Sequence, residues 1–94
     1  MKILWSPTAI AGLESIRAYI AEDNPHAAVK VAQTIRQAVE RLCSFPASGR
    51  AGRVPETCEL VIPGTAYIAA YTVDENQVCI VSVLHGRQRW PEIF

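Results

Sequence analysis

Ala66-Tyr-Ile-Ala-Ala-Tyr-Thr-Val73, Asp74-Glu-Asn-Gln77 and Val78-Cys-Ile-Val-Ser-Val-Leu84 follow one another directly in the chain. Two apolar runs rich in β-branched and aromatic residues flank a polar turn, and that pattern reads as paired strands. The second run gives way to His85-Gly-Arg-Gln-Arg-Trp-Pro91. An imidazole, two guanidiniums and an indole therefore follow a buried strand, whose end fixes where they point.

Upstream, Pro63-Gly64 is a turn signal, and Thr57 to Ile62 is a third strand candidate carrying Glu59. Ala47 to Glu56 reads as a loop with Gly49, Gly52, Pro55, Arg50 and Arg53. Two readings fit it: a solvated connection, or a basic loop that meets an acidic partner or phosphates. Further back the apolar period changes to that of helices. Ser6-Pro7 is a cap followed by a proline at the first helical position, and Ala9, Leu13, Ile16 and Ile20 make one apolar face. This predicts a helix from Pro7 to about Glu22. Asn24-Pro25 repeats the start signal, and Ala28, Ala32, Ile35, Val39 and Leu42 repeat the spacing, with Val31 and Ala38 widening the stripe. Phe45-Pro46 ends that helix, because proline disfavours helix in the residue before it. Tyr19 and His26 read as boundary residues. Lys2 to Trp5 suits an edge strand. The predicted order is β-α-α-β-β-β. The class is α+β: an N-terminal strand and a helical hairpin packed on a mostly antiparallel sheet that ends in a β-meander.

The 94 residues make one domain, 1–94, half hydrophobic and 19% charged, which is a globular composition. A formal charge of zero argues against a protein that coats nucleic acid, although Arg41, Arg50, Arg53, Arg87 and Arg89 gather in the later segments. Cys43, Cys58 and Cys79 have no paired spacing and read as small buried thiols in a reducing compartment. No run has the length of a membrane span and no signal peptide is visible, so a soluble, cytoplasmic protein is expected.

No phosphate-binding loop, dinucleotide fingerprint, zinc spacing or serine-nucleophile motif occurs, and no metal or cofactor is expected. What remains is a group of candidates: Arg50, Arg53, Glu59, Tyr67, His85, Arg87 and Arg89, with Trp90. Such a set suits metal-independent RNA cleavage. His85 and Glu59 would exchange protons, and the arginines would hold phosphate. It suits equally a protein-binding surface anchored by arginine and tryptophan. Residue types leave both open.

The ordered set Trp5-Ser6-Pro7, Tyr19-Ile20-Ala21, Asn24-Pro25-His26-Ala27-Ala28, Phe45-Pro46, Gly49-Arg50-Ala51-Gly52-Arg53, Glu59-Leu60-Val61-Ile62, Tyr67-Ile68 with Tyr71, and Val83-Leu84-His85-Gly86-Arg87-Gln88-Arg89-Trp90-Pro91 spans nearly the whole chain. In it the chain resembles the RelE/ParE superfamily of bacterial toxins from type II toxin–antitoxin, or plasmid stabilisation, modules. The resemblance implies one of two activities. RelE-like members cleave mRNA on the ribosome; ParE-like members inhibit DNA gyrase by protein contact. RelE-like nucleases typically carry an arginine directly after the third-strand tyrosine, where this chain has Ile68. Loss of one such donor costs on the order of 100-fold in rate. With the ending His85 to Pro91, this favours the ParE-like branch. Gyrase would then be met by Arg50, Arg53, Tyr67, His85, Arg87, Arg89 and Trp90. The alternative is a nuclease acting on the ribosome with its mRNA, using His85, Arg87 and Glu59. Many relatives have arginine at the places of Cys58 and Thr72, which implies a third alternative: a weakened toxin kept for antitoxin binding. Either way the implied partner is a cognate antitoxin, seated on the helical hairpin and sheet edge, in a toxin–antitoxin hetero-oligomer or with a toxin homodimer.

Overall fold

The computed structural model describes residues 1–94. Strand β1 (Lys2–Trp5) leads into α1 (Pro7–Ala21) and α2 (Pro25–Glu40), which tightens into a 3₁₀ turn at Arg41–Cys43. Strands β2 (Arg50–Ala51), β3 (Cys58–Val61), β4 (Tyr67–Val73) and β5 (Gln77–His85) complete one sheet of order β1-β5-β4-β3-β2. β3 to β5 form the expected antiparallel meander, β2 adds an unexpected fourth antiparallel strand beside β3, and β1 closes the far edge parallel to β5.

Both helix starts follow from local chemistry. Asn24 Oδ1 accepts from the Ala27 N–H at 3.0 Å, and Ser6 Oγ accepts from the Ala9 N–H at 3.0 Å. Ser6 also donates to the Val81 carbonyl at 3.0 Å. Val81 is the extra residue where the β4–β5 register slips: Ala70 faces Ser82 while Tyr71 faces Ile80. One hydroxyl thus caps α1 and ties it to the bulge. Ser6→Ala is expected to lower stability by about 1–2 kcal/mol, since it removes both bonds. Urea denaturation checks this, with Asn24→Ala, which removes a cap alone, expected to cost about 1 kcal/mol.

The core lies between the helices and one sheet face. Ala9, Leu13, Ile35, Ala38, Val39 and Leu42 meet Ala69, Tyr71, Val78, Ile80 and Val83. Gly12 lets α1 approach β5 closely: a Cβ there would stand 3.1 Å from the Val83 carbonyl oxygen.

Several boundaries differ from expectation for physical reasons. The first helix stops at Ala21, one residue early. The loop 47–56 is not simply solvated: Arg50–Ala51 pairs with Cys58–Glu59, and Val54 is buried. Backbone pairing supplied by β3 makes a strand where glycine and arginine had suggested none. The β3 strand is Cys58–Val61, shorter than predicted, and His85 is the last residue of β5 rather than a residue past it. The thiols are not buried: Cys43 is exposed, and Cys58 and Cys79 are half-buried. Cys43 follows α2 on the 3₁₀ turn, where its thiol donates to the Met1 carbonyl, and Cys79 faces away from the helices in register with Thr72 and Leu4. No helix is long and apolar enough to cross a membrane.

Candidate target-binding site

Strand register sorts the candidate residues by face. Residues directly opposite one another share a face, and residues an odd number apart along a strand do not. Glu59, Ala70 and Ser82 lie in one cross-strand row with Arg50. Their side chains occupy the outer face, away from the helices, because Ala69, Tyr71 and Val83 face the core. Tyr67 and His85 are paired with each other, three residues from Ala70 and Ser82, and so lie on the helix side. Their rings meet edge to face, with centroids 5.5 Å apart. Glu59 and His85, the two candidates for base and acid, therefore stand on opposite faces of the sheet.

Glu59 has a different task. Its side chain is only 2% exposed, and it accepts from the Arg53 backbone N–H at 2.7 Å, Arg53 Nε at 3.1 Å and Arg53 Nη2 at 3.3 Å. From the neighbouring strand it accepts from Arg50 Nε at 3.3 Å and Nη2 at 3.1 Å. Burial pushes its carboxyl pKa up, but these hydrogen bonds, led by the Arg53 N–H, outweigh it and hold the pKa below the usual value. A carboxylate kept ionised by two guanidiniums is poorly placed to donate a proton. It is well placed to orient the two arginines, which keep 58% and 41% of their side chains exposed.

Arg53 reaches on to the segment that follows β5. Its Cζ lies 3.8 Å from the centroid of the Trp90 ring. The Trp90 Nε1–H donates to the His85 carbonyl at 3.3 Å, and the Gly86 N–H donates to the Ala66 carbonyl at 2.8 Å. The His85 N–H donates to Gln88 Oε1, and the Arg87 N–H donates to His85 Nδ1 at 3.0 Å. Residues 86–94 form a strap that crosses Ile68 and reaches Arg53 on the outer face. Arg87 and Arg89 stand exposed on it, with Ile93 76% and Phe94 45% exposed. In this arrangement a neutral His85 carries its proton on Nε2, so its free nitrogen donates.

The structure thus brings together Arg50, Arg53, Glu59 and Trp90, carries Arg87 and Arg89 on the adjoining strap, and sets Tyr67 and His85 on the opposite side of the sheet. Ile68, at the place of the nuclease arginine, is 6% exposed on the outer face. Cys58 pairs with Tyr71 and packs toward the helices, so it vacates no place on the outer face; Thr72 alone of the two departures lies there. No three His, Cys, Asp or Glu side chains converge as a metal site would need.

Sequence reasoning passed over Tyr71 except as part of a motif. It is fully buried, accepts from the Gly49 N–H at 2.9 Å and donates to the Pro46 carbonyl at 2.9 Å, and so fastens the loop that carries Arg50 and Arg53. A tyrosine flanked by small residues on an apolar strand was the available signal, because a buried phenol needs a polar partner.

Residues 3–90 match the family model described as the ParE toxin of the type II toxin–antitoxin system parDE. The chain belongs to the ParE toxin family. It is 41% identical over 93 residues to a protein of Sinorhizobium fredii named "Putative toxin Y4kP", covering 99% of this chain and 96% of that one. It is 31% identical over 85 residues to Toxin RelE2 of Caulobacter vibrioides, covering 90% and 94%. The fold superposes on the chromosomal ParDE toxin–antitoxin system of P. aeruginosa with a TM-score of 0.83, at 24% identity, covering 90% of this chain and 95% of that one. The YoeB dimer of Staphylococcus aureus matches less closely, with a TM-score of 0.58 at 18% identity, covering 87% and 92%. The protein is a toxin of the RelE/ParE superfamily, and a toxin of such a module has an antitoxin as its partner.

Proposed function

We propose that the toxin inhibits DNA gyrase by protein–protein contact and does not cut RNA. The observation that carries this is the opposite-face placement of Glu59 and His85. An acid–base pair for RNA cleavage must reach one scissile phosphate from both sides. Here the carboxylate is bound up with Arg50 and Arg53, and the imidazole lies across the sheet. The groups left exposed, two oriented arginines and a strap bearing Arg87, Arg89 and Phe94, together with the half-buried Trp90, have the composition of binding hot spots. The antitoxin's expected seat is the groove along the helical hairpin and β1, about 380 Å³ in volume and lined by Trp5, Ile10, Leu13, Glu14, Arg36 and Glu40. An amphipathic helix would fill it.

Purified toxin is expected to block plasmid supercoiling by purified gyrase, and added antitoxin to restore it. Primer extension on translated mRNA is expected to show no new 5′ ends. The similarity to a relative named RelE2 favours ribosome-dependent mRNA cleavage as the second reading. New 5′ ends that disappear in His85→Ala, with gyrase unaffected at large molar excess, would establish that reading instead. Normal growth on induction without antitoxin would point to a weakened toxin.

A further inference from the structure

We infer that Glu59, Arg53 and Trp90 form a positioning relay that fixes the strap 86–94 on the outer face, and that target contact depends on this placement. The second half rests on the proposed contact with gyrase; the first half does not.

The relay starts at a rigid point. Glu59 lies in the middle of β3, hydrogen-bonded to strands on both sides, and it is almost wholly buried. It grips Arg53 three times, once at the backbone and twice at the guanidinium. The backbone bond sets where the side chain leaves the loop, and the other two fix the plane of the guanidinium. A turn supports this from behind: the Thr57 N–H and hydroxyl both donate to the Val54 carbonyl, and Glu56 adopts the left-handed φ of 65° that the turn requires. The held guanidinium then offers its flat side to the Trp90 ring. Arginine suits both demands, since it makes in-plane hydrogen bonds while stacking on an aromatic face.

At its far end the strap has few other ties. Gly86 and Gln88 are bonded through their backbones, and beyond them Trp90 is held by the Arg53 guanidinium and its bond to the His85 carbonyl, with the Phe94 ring at 6.3 Å. The strap carries Arg87, Arg89, Ile93 and Phe94, all exposed. Ordering such side chains at the moment of binding is costly, on the order of 0.5–1.5 kcal/mol each, so a strap held in place beforehand binds better. Arg53 is thus a positioning residue for groups as far along the strap as Phe94, and the surface that the strap meets should be an apolar pocket rimmed by acidic side chains.

Hydrogen exchange on the folded, full-length toxin tests the relay without any target. Arg53→Ala is expected to speed exchange at Gly86 and Gln88 at least 5-fold, leaving the amides of β4 and of β5 up to Leu84 unchanged, since the His85 N–H is itself tied to Gln88 on the strap. Trp90→Ala should do the same, and the double substitution should add little, whereas Trp90→Phe should restore most of the protection by keeping an aromatic face. Unchanged exchange at 86–90 in Arg53→Ala, or full additivity in the double variant, overturns the relay. Gyrase inhibition is then measured on the same proteins. A loss of 10-fold or more that Trp90→Phe recovers, with antitoxin affinity unmoved, supports the functional half. Inhibition unchanged despite a loosened strap overturns that half alone. If the unsubstituted toxin leaves gyrase untouched, the proposed function fails, and with it the functional half, while the exchange result still decides the relay.

Discussion

Replacing Tyr71 by alanine is expected to lower the unfolding free energy by about 4 kcal/mol, a large share of the roughly 5–15 kcal/mol that holds a domain together. Tyr71 is the largest fully buried side chain and sits at the centre of the core. Removing the ring opens a cavity between β4 and the helices, and it strands the Gly49 N–H and the Pro46 carbonyl. Tyr71→Phe separates the two effects. It keeps the ring, loses only the hydroxyl, and should cost about 1–2 kcal/mol, because two part-buried hydrogen bonds are lost together. Burial pushes the phenol pKa above its ordinary value against the opposing Gly49 N–H, so the hydroxyl stays neutral and keeps donating at any working pH. Gly49 is bound to the same arrangement. A Cβ there would stand 2.8 Å from the Glu59 carbonyl oxygen and collide with the Tyr71 ring, so any side chain would push the loop off β3. Urea denaturation of the two Tyr71 variants measures the difference. Equal costs for phenylalanine and alanine would show that the ring contributes nothing, against the packing described.

Glu59→Gln is expected to cost about 2 kcal/mol at neutral pH, and the cost should shrink in acid. Bonds to a charged acceptor are worth more than neutral ones, and five N–H groups converge on this carboxylate. The figure stays below that for a wholly buried ion pair, because both arginines are about half exposed and can return to water. The sign of the pH effect follows from the lowered carboxyl pKa of the folded state. Stabilisation from Glu59 is complete above the unfolded-state pKa, about 4.3, and is lost as pH falls through the lower folded-state value. The gap between parent and variant should therefore be widest near pH 7 and narrow below about pH 4. A gap that stays constant down to pH 3 would mean that the charge of Glu59 does not stabilise the fold. Arg50→Ala, which removes only one of the two cations and the more exposed one, should cost under about 1 kcal/mol.

These two residues mark how far the sequence could be read. The helical hairpin was legible because each helix announces its start with a cap and a proline, and keeps one apolar stripe: Ser6-Pro7 with Ala9 and Leu13, Asn24-Pro25 with Ala28, Ile35 and Val39. The meander was legible from the β4 and β5 runs and the turn between them. Strand β2 was not, since two residues carry no period and form a strand only because β3 lies alongside. The site was half legible. Arginines, Glu59, His85 and Trp90 stood out by type, but type does not say which face a side chain takes.

What the chain's own order determined is the set of elements, their succession and the chemistry on offer, because caps, turns and apolar spacing act between neighbours. What only the tertiary structure decided is the division of that chemistry. Register sends Glu59 and His85 to opposite faces and turns Cys58 inward, and the packing of the strap brings Trp90 onto Arg53 of a distant loop. Parity across a sheet depends on how strands pair, and pairing joins residues far apart in the chain.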